Sequence, residues 1–463
     1  MSYELFFKKI KDVVKEFNSK RETVRIVSHL DADGLTSASI LIKALLRENI
    51  NFVTSIYKQL EESVLLELSR ENYSCYFFLD FGAAQIPLIK RYLPNKKIFI
   101  FDHHQFNYKD LDNVILLHPN LYNIDSNEIS SSGITYLFAK VLNEKNIDLA
   151  YLALIGAIGD IQEDKGFKKL NQLILEDARS INVEVTTGLR MFGSQTRPLH
   201  KALEYSTDPF IPGVTGSEEG AVNFLNEIGI KPDNNTYKPL ALLPKEDLKK
   251  LISAIIIKRI GVVSEPEDVL GPIYLLKEET YVMKDLKEFS TLINACGRLG
   301  KYSLGIGACL NDIKLKKLAL ETLNQYRLEI VNALNWFYEN RNNKNKIIEE
   351  AGFTIIKAED NIKDTMIGTL ASIIAKSDLY KENTFILSLA HTQDGNTKIS
   401  FRYNAEKKNI DLKEILNQIT SKLGYEAGGH KDACGALIPQ EKEKEFIHNA
   451  IQTLKSINIE QFA

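Results

Sequence analysis

The sequence predicts an α/β protein: a mainly parallel-sheet domain carrying an inserted domain, and a smaller C-terminal α/β domain joined to it by a long helix. Three observations point there. Short runs rich in Ile, Val and Phe alternate with helical stretches from Thr23 to Gly159. Between residues 182 and 286 the texture changes, with Pro198, Pro209, Pro212, Gly213 and Gly216 crowding a loop-rich stretch. Asp312 to Asn345 then runs without Gly or Pro before strand and helix patterns resume at Phe353.

Taken in order, Met1–Lys20 mixes Glu4, Asp12 and Glu16 with lysines around apolar residues at helical spacing, which predicts a surface helix and not a signal peptide. Thr23–Ser28 reads as a strand, Thr36–Arg47 as a helix, Asn51–Ile56 as a strand and Glu61–Arg70 as a helix. Strand-like runs follow at Tyr73–Leu79, Lys97–Phe101 and Val114–Leu117, then helices at Gly133–Asn143 and Leu149–Gly159. Alternation of this kind builds a parallel sheet covered by helices. A first domain over residues 1–181 is therefore expected, with an inserted domain over 182–286 that contains a helix near Leu248–Ile260. A return segment and linker helix over 287–345 leads to a last domain over 346–463, with strands at Phe353–Ile356, Phe385–Ala390 and Lys398–Tyr403.

With 463 residues, 44% hydrophobic and 26% charged, the composition is that of a multidomain globular protein. Lys plus Arg number 58 against 61 Asp plus Glu, so any grip on a polyanion must come from a local basic groove. The cysteines Cys75, Cys296, Cys309 and Cys434 form no CxxC pair, which argues against a zinc ribbon or disulfide framework and for a reducing, cytoplasmic setting. No apolar run approaches the roughly 20 residues of a membrane span.

The chemistry lies where acids and histidines meet the predicted strand ends. His29, Asp31 and Asp33 follow the first strand, and in extended chain a spacing of two turns all three to one side. Asp80 follows Tyr76–Leu79, Asp102, His103 and His104 follow Lys97–Phe101, and Asp160 closes the helix ending at Gly159. The carboxyl edge of a parallel sheet is where ligands bind, so these residues are expected to converge. Two like charges about 4 Å apart repel by roughly 4 kcal/mol at an effective dielectric of about 20. Asp31, Asp33, Asp80, Asp102 and Asp160 together therefore call for cations. Histidine plus carboxylate suits Mn²⁺, with Mg²⁺ as a substitute, and the donor count suits a pair. A single Asp after a strand more often caps a helix, and Asp31 or Asp33 could cap one beginning at Leu35. Capping alone does not explain four separate element ends bearing acid or histidine.

The segments His29-Leu-Asp-Ala-Asp-Gly34, Phe78-Leu-Asp80, Asp102-His-His104 and Gly159-Asp160 resemble the four motifs of the DHH phosphoesterase family, in order. Gly428-Gly-His-Lys-Asp-Ala-Cys-Gly435 resembles the GGHxxAxG signature of DHHA1 domains, which in that family close over the substrate. Asn294-Ala-Cys-Gly-Arg298 resembles the NAxGR element of RecJ-like nucleases, and the stretch from Arg197 to Gly216 resembles the insertion of archaeal RecJ-like proteins, including GINS-associated nucleases.

The resemblance implies that Asp80 bridges two Mn²⁺ ions, with His29 and Asp31 completing one site and Asp33, His103 and Asp160 the other. Asp102 would orient His103, and His104 would contact the scissile phosphate. Asn294, Arg298, Arg402, Gly428, Gly429 and His430 would bind substrate. His118, His200, His391 and His448 match no motif and are expected at the surface or as caps. The implied activity is a single-strand-specific exonuclease acting on DNA or RNA, with GINS or other replisome proteins as candidate partners. The alternatives are a small-substrate DHH enzyme, such as an oligoribonuclease, cyclic-dinucleotide phosphodiesterase or pyrophosphatase, and a Cdc45-like replisome component.

Overall fold

The computed structural model describes residues 2–18, 22–106, 113–164, 166–206, 209–263, 265–377, 379–404 and 410–462, with the backbone alone at His430 and 458–462. They fall into two compact units, Met1–Leu323 and Asn324–Ala463.

The first unit opens with α1 (Ser2–Asn18), whose Phe6, Ile10, Val13 and Phe17 form a buried stripe at helical spacing. There follow β1 (Val24–His29), α2 (Ala32–Arg47), β2 (Phe52–Tyr57), α3 (Glu62–Ser69), β3 (Cys75–Leu79), α4 (Ile86–Tyr92), β4 (Lys97–Phe101) and β5 (Val114–Leu117). All five strands are parallel, in the order β2-β1-β3-β4-β5. The central strands are buried on both faces, which is why they read as continuous apolar runs instead of alternating ones. Phe77 of β3 stacks on Phe99 of β4 with centroids 4.5 Å apart, and Phe17 meets both rings edge-on, locking α1 to the sheet. Two buried helices, α5 (Ser131–Leu142) and α6 (Ala150–Gly159), pack against α2.

After α7 (Lys169–Ile181), β6 (Val183–Leu189) pairs antiparallel with β7 (Leu270–Leu276). This ribbon brings the incoming and outgoing chain of the inserted segment side by side. Beyond it α8 (Leu199–Glu204), α9 (Glu218–Glu227) and α10 (Lys245–Arg259) close on a core of their own, which includes Leu203, Phe224, Leu225, Leu251 and Ile255. The chain returns through α11 (Leu286–Arg298) and α12 (Tyr302–Cys309) into the long α13 (Ile313–Asn340). Asp312 accepts hydrogen bonds from the N–H groups of Lys314 and Leu315 at its start.

The second unit contains β8 (Ile347–Glu350), β9 (Phe353–Glu359), α14 (Asp364–Ala375), β10 (Thr384–His391), β11 (Asn396–Asn404), α15 (Leu412–Thr420), β12 (Gly428–His430), β13 (Ala433–Pro439) and α16 (Glu443–Phe462). The sheet order is β12-β13-β11-β10-β9-β8, with β9 and β10 parallel and the other pairs antiparallel. The sequence pattern finds β9, β10 and β11 but not β8, β12 or β13. Gly428–His430 is short and glycine-rich and Ala433–Pro439 mixes Gly, Ala and Pro with its apolar residues, so neither declares itself a strand; β13 is held by pairing to β11, and β12 by pairing to β13. All four cysteines are free and buried. Among the described residues no helix is long and apolar enough to cross a membrane.

Candidate metal centre

In the strand order β2-β1-β3-β4-β5 the direction of winding reverses between β1 and β3, the point at whose carboxyl ends such sheets bind ligands. His29 ends β1 and Asp80 follows β3, so the first and second motifs flank that point. Asp80 takes φ of 64°, a left-handed conformation that Asp tolerates better than most residues.

The extended arrangement expected for His29, Asp31 and Asp33 is not what forms. α2 begins already at Ala32, because Asp31 serves as its N-cap, accepting the Gly34 N–H at 3.0 Å. Asp33 therefore projects from the first helical turn. The turn is tight: a Cβ on Gly34 would lie 2.3 Å from the His29 carbonyl oxygen. Both oxygens of Asp31 are engaged: Oδ1 caps the helix while Oδ2 lies 3.0 Å from His29 Nδ1.

Three overlapping groups of ligand atoms lie within 4.8 Å of one another: His29, Asp31 and Asp80; Asp33, Asp80, His103 and Asp160; and Asp80, His103 and His104. Asp80 is common to all three. His29 Nδ1 is 3.2 Å from Asp80 Oδ2, and His103 Nε2 is 3.0 Å from Asp160 Oδ2 and 3.8 Å from Asp80 Oδ1. The Ser126 carbonyl, 3.2 Å from His103 Nδ1, accepts the hydrogen bond from that nitrogen and so turns Nε2 toward the acids.

Asp102 acts differently from expectation. Its Oδ1 accepts the backbone N–H groups of His103 and His104 at 2.8 and 3.0 Å, and Oδ2 accepts that of Ala83 at 2.9 Å. This local turn brings the His104 ring back, with Nδ1 2.8 Å from Asp102 Oδ1. Asp102 thus orients the ring of His104, and Ser126 orients that of His103.

Cations are not the sole source of compensation among the acids. Asp33 is fully buried, and both its oxygens accept backbone N–H groups at the N-terminus of α5, from Ser131 at 2.7 Å and Ser132 at 3.0 Å. A helix N-terminus is a natural seat for a carboxylate. Burial opposes ionisation of Asp102, but His104 and the three N–H groups outweigh it and hold the carboxyl well below the usual range. Burial likewise raises Asp31, but His29, Asp80 and the Gly34 N–H together hold it below the usual carboxylate range. What remains uncompensated is Asp80 and Asp160. Burial, then repulsion from Asp31, Asp33 and Asp160, pushes Asp80 well above the ordinary carboxylate value. Burial and Asp33 push Asp160 up to about 6 even beside His103. His103 is in turn raised to about 10, its burial outweighed by Asp160 and Asp33. Asp80 Oδ1 is buried without a hydrogen bond. A buried, unsatisfied carboxylate oxygen between two histidine-containing groups is what a divalent cation with mixed oxygen and nitrogen ligands would satisfy.

Several supporting residues carry no motif signal. His118 is buried, caps the turn at Pro119–Tyr122 by accepting the Asn120 N–H at Nδ1, and so donates from Nε2 to the His104 carbonyl at 2.8 Å. Phe106 covers its ring at 4.6 Å. The cap was expected and its burial under the third motif was not. Gly156 of α6 lets Ser132 and Asp33 approach: a Cβ there would sit 2.1 Å from Ser132 Oγ and 2.4 Å from Asp33 Oδ1. Only the burial of all three together could have exposed these roles.

Of the residues expected to bind substrate, Asn294 and Arg298 lie on α11, close to the metal centre. Asn294 Oδ1 accepts the Ala32 N–H at 2.9 Å, and the positive charge of Arg298 opposes protonation of His29. The others are in the second unit. Arg402 on β11 donates from Nε to Ser372 Oγ at 2.9 Å and from Nη1 to the carbonyls of Phe401 and Cys434 at 2.8 and 3.2 Å. Gly429 pairs with Cys434, takes φ of 105°, and would place a Cβ 2.8 Å from the Ala433 oxygen. Gly428 has open space where a Cβ would be, so packing does not demand glycine there. The side chain of His430 lies outside the described residues.

Three family models match: the DHH family N-terminal domain over residues 23–157, the DHH-CID domain over 191–269 and the DHHA1 domain over 350–456. The DHH-CID match covers the inserted segment beyond the β6–β7 ribbon. An uncharacterized protein of Methanocaldococcus jannaschii is 30% identical over 454 residues, covering 95% of this chain and 96% of that one. The single-stranded-DNA-specific exonuclease RecJ of Thermus thermophilus is 25% identical over 203 residues, 42% of this chain and 30% of RecJ. Its crystal structure with Mn²⁺ superposes with a TM-score of 0.60 at 16% identity over 97% of this chain and 55% of RecJ. Cdc45 of Entamoeba histolytica gives a TM-score of 0.63 at 13% identity, over 97% and 98% of the two chains. Fold, domain set and near full-length kinship agree, and the chain belongs to the DHH/DHHA1 superfamily as a RecJ-like member.

Proposed function

We propose that this chain is a metal-dependent phosphodiesterase, an exonuclease that removes nucleotides from single-stranded DNA or RNA and releases 5′-mononucleotides. The observation that carries the reading is the pair of ligand groups sharing Asp80 at the sheet's switch point. His29, Asp31 and Asp80 would hold one Mn²⁺, and Asp33, Asp80, His103 and Asp160 a second, with Mg²⁺ as a substitute. Bound there, the two cations would supply an activated water and neutralise charge on the phosphate. Asp102 holds His104 through Nδ1, which leaves contact with the scissile phosphate to Nε2. Arg298 adds positive charge beside His29. In the second unit Arg402, Gly428, Gly429 and His430 would bind the strand's terminal nucleotide. That RecJ of Thermus thermophilus is a single-stranded-DNA-specific exonuclease, with a structure holding Mn²⁺, supports the choice of substrate and metal.

The likeness to Cdc45 favours a second reading, a replisome component working with GINS. The complete acid and histidine set weighs toward catalysis. Product analysis on 5′- and 3′-labelled single strands with Mn²⁺, against the same strands annealed to their complements, tests the proposal. Mononucleotides from single strands longer than a few residues, slow attack on blunt duplex and no activity in excess chelator are expected. Activity confined to dinucleotides would move the reading to a small-substrate enzyme. No hydrolysis together with capture of GINS would move it to the scaffold.

A further inference from the structure

α11 is the element that carries the NAxGR segment, yet its contacts run to the backbone of the metal loop. Asn294 Oδ1 accepts the N–H of Ala32, the residue between Asp31 and Asp33, at 2.9 Å. Three residues on, a Cβ on Gly297 would lie 1.8 Å from the Leu30 oxygen, so at this position only glycine lets the helix lie against the loop. Ser290, one turn before Asn294, lies against Gly159, the residue before Asp160. One face of α11 thus touches the loop on either side of Asp31 and the segment leading to Asp160. The Ala32 N–H lies in the first turn of α2, where N–H groups have no carbonyl partner inside the helix, and the Asp31 side chain caps that of Gly34 instead.

We propose that Asn294 is a positioning residue for the metal ligands. By binding the Ala32 N–H it sets the start of α2 and with it the directions in which Asp31 and Asp33 leave the backbone, and it acts on metal affinity and not on substrate contact. The inference rests on the reading of Asp31 and Asp33 as metal ligands. Residues that orient metal ligands typically change affinity by about 10–100-fold when replaced.

The test is Mn²⁺ titration of the substrate-free full chain by calorimetry, with kcat and KM measured on a labelled single strand. N294A should bind Mn²⁺ about 10–100-fold more weakly, with KM for the strand unchanged at saturating Mn²⁺. N294D keeps an oxygen that can accept the Ala32 N–H and should bind Mn²⁺ no more weakly than wild type. Thermal unfolding in chelator shows that each variant folds. A raised KM with unchanged Mn²⁺ affinity in N294A would overturn the inference in favour of substrate contact, as would N294D binding as weakly as N294A. Wild-type protein that takes up no Mn²⁺ would overturn the metal reading along with it, so the two failures are told apart.

Discussion

Replacing Gly156 by Ala puts one methyl group where the structure has least room for it. The added Cβ would meet Ser132 Oγ at 2.1 Å, Asp33 Oδ1 at 2.4 Å and Thr36 Oγ1 at 2.6 Å. The two hydroxyls can rotate away, but the carboxylate is held by the Ser131 and Ser132 N–H groups and must shift by about 1 Å to reach ordinary contact. A displacement of about 1 Å in a reacting group costs on the order of 100-fold in rate, equivalent to about 2.7 kcal/mol. Stability responds less. Weakening a hydrogen bond to a charged group costs about 1.5–3 kcal/mol, and Ala in place of a mid-helix Gly returns about 1. The measurement is kcat/KM on a single strand at saturating Mn²⁺, alongside thermal unfolding. Gly307→Ala is the control, since the three atoms nearest its Cβ would all belong to Leu315. G156A should lose about two orders of magnitude in rate and about 0.5–2 kcal/mol of stability. G307A should lose stability alone. A G156A rate within threefold of wild type would refute the claim that Asp33 is held where the chemistry requires it.

Asp80→Ala should leave less than about a hundredth of wild-type hydrolysis, a loss above about 2.7 kcal/mol, because this carboxylate belongs to every ligand group; a larger residual rate would remove its bridging role. In chelator, stability should fall as pH rises from about 4 to 6. Asp160 is raised to about 6 and Asp80 is raised as well, so the folded state binds more protons than the unfolded one across that window. Asp31 and Asp102 are depressed, and the stability they contribute is lost only at lower pH. Melting temperatures of wild type and D160N against pH check this, and a wild-type stability that rises over that window would contradict it. Ile161, directly after Asp160, is a β-branched residue at φ of 59° with two thirds of its side chain exposed. Ile161→Asn should raise stability by about 1 kcal/mol in a denaturant titration, and a loss would mean the conformation is not strained. Arg402→Ala should weaken strand binding with metal content unchanged by elemental measurement, since Arg402 lies on β11 and hydrogen-bonds to Ser372 of α14 and to the Cys434 carbonyl of β13, none of them a proposed metal ligand.

The sequence by itself determined the sheet, because strands buried on both faces must be continuous apolar runs and their bounds show in one dimension. It also determined which residues meet. Parallel strands share one carboxyl edge, so acids and histidines written after β1, β3 and β4 were bound to converge. What the tertiary structure decided is how each is held. That α2 starts at Ala32, that the N-terminus of α5 receives both oxygens of Asp33, and that Asp102 serves His104 all depend on backbone N–H groups, which carry no residue-specific signal. His118 and Asn294 act on backbone atoms of segments 14 and 262 residues away, a kind of pairing that neither periodicity nor motif spacing encodes. In the second unit, β13 exists because β11 offers it a paired edge and β12 because β13 does, since stretches this short and rich in Gly have too little strand preference to declare themselves alone.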